Sequence, residues 1–195
     1  LDITSLSSGT RDTVTVDAGS ANLNLTGAPT GADSYNATVA ADTTVTLATL
    51  TSAGDAVTLN VAGDLTLNAG TGATGNDELD ITINATTANS EVTLSDASKV
   101  NAEKIFITGT KDVTLVVTDG KALAGAAGTG TIIADNSTGT STIRFDGAMA
   151  TPTVLSEAAV DVVEINAATG GAVALTINNN SKLLLSEALT VGALT

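Results

Sequence analysis

The side chains of this chain that can do chemistry are almost all carboxylates. Asp and Glu number 21 against 7 Lys and Arg, and His and Cys are absent. Imidazole and thiolate chemistry are therefore closed to it. Oxygen remains, in carboxylates, hydroxyls, amides and backbone carbonyls, and oxygen is the donor preferred by hard cations. Several acids stand before short apolar runs: Asp12 in "DTVTV", Asp42 in "DTTVTL", Asp55 in "GDAVTLN", Asp64 in "GDLTLN", Asp77 in "NDELDITIN", Glu91 in "EVTL" and Asp112 in "DVTL". Taken singly, each reads as a solvated turn residue that makes local backbone bonds. Packed as a ladder, they would repel one another, and a divalent cation would relieve that repulsion.

Catalysis fits the sequence poorly. Acid–base work would fall to carboxylates, Lys or the single Tyr35. Paired acids exist, Asp161 with Glu164 and Asp77 with Asp80, but the seven basic residues are widely spread. With 2 Phe, 1 Tyr and no Trp there is no aromatic platform for a sugar. These acids read as solvent-facing strand and turn residues, and no enzyme is expected.

The elements that position the acids are strands. Alternation with period two recurs in "DTVTVDA", "ANLNLTG", "TTVTLATL", "AVTLNVA", "DLTLNAG", "LDITINA", "KIFITGT" and "STIRFDG". Each run places Val, Leu or Ile on one face and Thr, Asn or Asp on the other, the pattern of a half-buried strand. Gly, Asn, Asp and Ser separate the runs. Hydrophobic residues make up 43% of the chain but aromatics only 2%. The core must therefore be thin and aliphatic.

The runs also repeat. Successive turn acids are 13, 9 and 13 residues apart from Asp42 through Asp55 and Asp64 to Asp77. A second phrase appears as "LSDASKV" from Leu94, "LSEAAVDV" from Leu155 and "LSEALTV" from Leu185, with intervals of 61 and 30. Periods of about 20–50 residues indicate solenoids or arrays, in which stacked turns bury a face that one turn cannot bury alone. The expectation is all-β: one irregular right-handed parallel β-helix or β-solenoid over residues 1–195, with its weakest point near 120–130. Ig-like β-sandwich domains are the alternative, and they would require antiparallel strands.

The net charge of -14 repels nucleic acid and anionic membranes and attracts cations. No stretch reaches the roughly 18 apolar residues of a membrane span. The chain begins at "LDITSL" and ends at "VGALT" without an evident polar cap. It reads as a segment of a longer protein that pairs end to end or continues beyond these residues.

Three stretches resemble known families. Gly72-Ala73-Thr74-Gly75-Asn76-Asp77-Glu78-Leu79-Asp80 is similar to the calcium nonapeptide G-G-x-G-x-D-x-U-x of RTX proteins, with Ala73 in place of the second glycine. The resemblance implies Ca²⁺ held by Gly72, Gly75 and Asp77, with Leu79 in the core. The truncated "AGD" turns ending at Asp55 and Asp64 are weaker candidates of the same kind. The bland alternative is that Asn76 and Asp77 simply close a loop. "SKVNAEKIFITG" and "AAVDVVEINAATG" resemble the strand phrase of bacterial S-layer and other type I-secreted surface proteins.

That resemblance implies a structural, calcium-stabilised coat on the outside of a Gram-negative cell. Its partners would be copies of itself and outer-membrane lipopolysaccharide, the latter reached through parts outside this chain. The alternative function is a non-catalytic spacer or binding segment of a large secreted adhesin. A third reading, ice or surface binding through Thr13-Val14-Thr15 and Thr44-Val45-Thr46, needs paired hydroxyls on every successive turn. Thr is in any case common on exposed strand faces.

Overall fold

The computed structural model describes residues 1–3, 13–25, 34–47, 56–68, 80–94, 99–100, 104–118, 122–123, 131–147, 154–167, 173–176, 181–187 and 191–194. Among these residues every regular element is a strand. In chain order they are β1 (Asp2–Ile3), β2 (Thr13–Gly19), β3 (Leu23–Leu25), β4 (Ser34–Val39), β5 (Thr43–Thr46), β6 (Ala56–Val61) and β7 (Leu65–Asn68). Then come β8 (Asp80–Ala85), β9 (Ser90–Leu94), β10 (Lys99–Val100), β11 (Lys104–Gly109), β12 (Val113–Val117), β13 (Ala122–Leu123) and β14 (Thr131–Asp135). The last are β15 (Ser141–Phe145), β16 (Val154–Ala158), β17 (Val162–Ile165), β18 (Val173–Thr176), β19 (Lys182–Leu185) and β20 (Val191–Leu194). No helix of the described residues is long and apolar enough to cross a membrane.

The strands form two nine-stranded sheets. Sheet I runs β1-β3-β5-β7-β9-β12-β15-β17-β19, and sheet II runs β2-β4-β6-β8-β11-β14-β16-β18-β20. A two-stranded pair, β10-β13, lies outside both. All pairings in sheets I and II are parallel. The chain thus alternates between the sheets and advances one strand in each per coil. It is a parallel β-solenoid, and the sandwich alternative is excluded. The strands on either side of residues 120–130 belong to one sheet, because β11 pairs β14.

The register explains the acid spacing. Asp2↔Asn24, Leu23↔Val45 and Thr43↔Leu65 each advance 22 residues. The 13- and 9-residue steps are the two unequal halves of one such coil. Asp42 and Asp64 precede strands of sheet I, while Asp55 precedes β6 of sheet II. Elsewhere the advance ranges from 18 residues (Val173↔Val191) to 28 (Val113↔Ser141). The Leu94, Leu155 and Leu185 phrase does not follow the coil. Leu94 and Leu185 lie in sheet I but Leu155 lies in sheet II, so that likeness is local.

Period-two alternation becomes an inner and an outer face. Tyr35, Val57, Ile81, Ile105 and Ile133 form one buried row of sheet II, and Ala37, Leu59, Ile83 and Ile107 form the next. Sheet I contributes Leu23, Val45, Leu67, Leu94, Val117, Phe145 and Ile165. Like stacks on like, so each row is a column of mainly aliphatic side chains, with Tyr35 and Phe145 the aromatic members. Burying one such side chain contributes about 1.5–3 kcal/mol. Among the described residues the exposed large apolar side chains are Leu1, Leu184 and Leu185, which belong to the outermost coils of sheet I.

Close stacking also sets where glycine is required. At Gly109 φ is +107°, and a Cβ there would lie 2.1 Å from the Ala85 carbonyl oxygen. Gly63, in the "AGD" turn before Asp64, would carry its Cβ 2.7 Å from the Ala41 Cβ of the adjacent coil. Coil contact accounts for a glycine at this position.

Ile107→Ala, which empties part of one buried column, is expected to cost about 2–5 kcal/mol in urea unfolding. Thr82→Ala, on the outer face of the neighbouring strand, should stay within about 0.5 kcal/mol. Equal losses at both positions would contradict the assigned faces.

Candidate functional site

The acids of sheet I cluster where the chain enters that sheet. Thr43↔Leu65 and Leu65↔Val92 place Asp42, Asp64 and Glu91 in one row on adjacent coils, about 4.8 Å apart. Beside it on the outer face runs a second row, Thr44, Thr66 and Thr93. The two rows line an open groove of about 300 Å³. The acid ladder anticipated from the repeated turns therefore exists over β5, β7 and β9.

The carboxylates are engaged by the backbone of neighbouring coils. Asp64 Oδ1 accepts the Glu91 N–H at 2.8 Å, and the Asp64 carbonyl accepts the Asp42 N–H at 2.7 Å. Asp112 Oδ1 accepts the Thr140 N–H at 2.8 Å, and Asp161 Oδ2 accepts the Ser141 N–H at 3.0 Å. Asn22 Oδ1 does the same for the Thr44 N–H at 3.0 Å. These bonds supply partners for N–H groups at the corners, where the regular ladder starts. Asp42 has φ of +59°, a conformation Asp tolerates better than most residues. This job needs an acceptor oxygen, which an amide and a carboxylate both supply.

A base crosses the row at its far end. Arg144 Nη1 lies 3.0 Å from Glu91 Oε2, and Nη2 lies 2.9 Å from Asp146 Oδ2. Its side chain reaches from β15 across β12 to β9 and covers Val116, an outward residue only 3% exposed. Partial burial works against the charge of Arg144. Hydrogen bonds and charge attraction from Glu91 and Asp146 outweigh it and raise the guanidinium pKa. Nothing in the sequence marked Arg144, because its partner Glu91 is 53 residues away.

On sheet II the outer face carries amides. Asn84 Nδ2 donates to Asn60 Oδ1 at 2.8 Å, and Asn60 Nδ2 donates to Asn36 Oδ1 at 2.6 Å. Hydroxyls do not recur on every coil of sheet I. Thr44, Thr66 and Thr93 form one column, but Asn22 precedes it and Val116 follows it.

Of the residues proposed for calcium, Gly72, Gly75, Asp77 and Asp55 lie outside the described residues. Asp64 is described, and one of its oxygens is held by Glu91 N–H. Among the described residues no three acids converge as a metal-binding group. The row Asp42–Asp64–Glu91 is a line of charges and not a cage.

No protein family, curated protein or solved structure matches this chain.

Asp64→Asn keeps the acceptor for Glu91 N–H and removes one repulsive charge, so stability is expected to be retained or slightly raised. Asp64→Ala removes that acceptor from an exposed hydrogen bond and should cost about 0.5–1.5 kcal/mol. A loss with Asn as large as with Ala, measured by thermal unfolding in chelator, would show that the charge itself is needed.

Proposed function

We propose that this chain is a non-catalytic structural component of a bacterial cell-surface coat of the S-layer kind, self-assembling through lateral contacts and stabilised by calcium. The observation that carries the reading is the solenoid itself. Each outer face repeats one strand per coil, so two copies laid side by side meet as a regular array. An extended body with evenly spaced polar rows suits a lattice contact better than a pocket for a small molecule.

The calcium component rests on two features. Asp42, Asp64 and Glu91 stack with like charge, and screening or bridging by a divalent cation lowers their repulsion. The stretch with Gly72, Gly75 and Asp77 carries the RTX-like residues in sequence, and we assign stoichiometric binding there. A location outside the cell and export by a type I route follow from the same S-layer likeness.

Light scattering during titration with Ca²⁺, followed by chelator, tests the reading. Growth in particle size that reverses on chelation is expected, with Asp77→Ala weakening it at least about tenfold in calcium concentration, or about 1.4 kcal/mol. Constant size together with no calorimetric heat of calcium binding would overturn both the metal and the coat.

A further inference from the structure

Charge is unevenly spread along the solenoid. Residues 12–98 hold eleven acids and no Lys or Arg, while the rest of the chain holds ten acids and all seven bases. Coils stack in chain order, so this asymmetry is axial. On the outer face of sheet I it takes a definite form. One row reads Asp42, Asp64, Glu91, Thr114, Thr142, Val162, Lys182 from β5 to β19. The next reads Thr44, Thr66, Thr93, Val116, Arg144, Glu164, Leu184. Acids gather at one end. Lys182 and Leu184, both exposed, stand at the other.

We propose that the outer face of sheet I docks on the same face of a second copy with the two solenoids antiparallel. The inference rests on the self-assembly reading and specifies its contact. β12 is the middle strand of the seven, so a two-fold axis along β12 pairs β5 with β19, β7 with β17 and β9 with β15 of the other copy. Asp42 then meets Lys182, Thr66 meets Glu164, and Thr114 on β12 meets its own equivalent. An isologous interface of this kind satisfies both halves at once. Parallel packing would instead set Asp42, Asp64 and Glu91 of one copy against the same acids of the other, and like-charge juxtaposition is disfavoured. The seven overlapping strands at about 4.8 Å and strand lengths near 15 Å give a face of roughly 500 Å². A pair would bury about 1,000 Å², the area that a specific contact needs to clear.

The absence of cysteine makes the orientation measurable. Thr44→Cys, Thr114→Cys and Leu184→Cys chains are treated singly and in mixtures with a short bis-maleimide that spans the roughly 10 Å between facing sheets, and intermolecular cross-links are read on denaturing gels. The expected result is that Thr114→Cys cross-links to itself. Thr44→Cys and Leu184→Cys should cross-link to each other and not to themselves. Lys182→Glu is expected to raise the dimer Kd about tenfold by sedimentation equilibrium. Larger assemblies that form while Thr44→Cys cross-links to itself would overturn this contact and leave the coat reading intact. Cross-links as predicted in a particle that stops at two copies would support the contact and count against the coat. A wild-type chain that remains monomeric in sedimentation would overturn the contact.

Discussion

Parallel hydrogen bonding between successive coils is the constraint from which the other features follow. One coil of this chain has two short strands and a single layer of small aliphatic side chains. That layer is too thin to stand alone, and each strand needs a neighbour on both sides for its N–H and C=O groups. Stacking meets both needs together. It also forces residues of one row into contact at strand spacing, so each row must be made of side chains that tolerate copies of themselves. Valine, leucine and isoleucine do so inside. Asparagine does so outside, as the Asn36–Asn60–Asn84 chain of amides illustrates.

Carboxylates are the exception. Asp42, Asp64 and Glu91 share a row although like charges repel, and the reason lies at the corner. There the chain leaves one sheet and enters the other, and N–H groups of an adjacent coil lack a ladder partner. A short acid reaches them, as Asp64, Asp112 and Asp161 each do. The repulsion that results is met locally by Arg144 at Glu91 and otherwise falls to solvent ions. Anionic character thus follows from building corners with Asp, and it becomes directional because the bases are confined to the coils on either side of residues 12–98.

Much of this was legible in the sequence. Alternation identified the strands, and the scarcity of aromatics implied a thin core, because both are local properties of strand-length runs. The turn acids gave away the coil once their 13- and 9-residue steps are summed as two halves, which becomes evident only when the two sheets are told apart. The phrase shared by Leu94, Leu155 and Leu185 misled, because similar words occur on different sheets. Arg144 with Glu91, and Asp64 with the Glu91 N–H, could not be read in advance. They depend on register across coils, and register is set by turn lengths that vary from coil to coil. The glycine before Asp64 reads as part of a cation loop in sequence and as a spacing requirement against Ala41 in space.

The central claim is that distant segments stack strand on strand in one parallel column. Thr15, Asn36, Thr58, Thr82, Phe106 and Ala134 occupy one row of sheet II from β2 to β14. Spin labels on Thr15→Cys and Ala134→Cys in the otherwise cysteine-free chain measure that column directly. Five strand steps predict a single separation of roughly 24 Å, broadened by the labels. A separation beyond about 40 Å, or several unrelated distances, is inconsistent with five steps at strand spacing. It would contradict the solenoid and everything built on it.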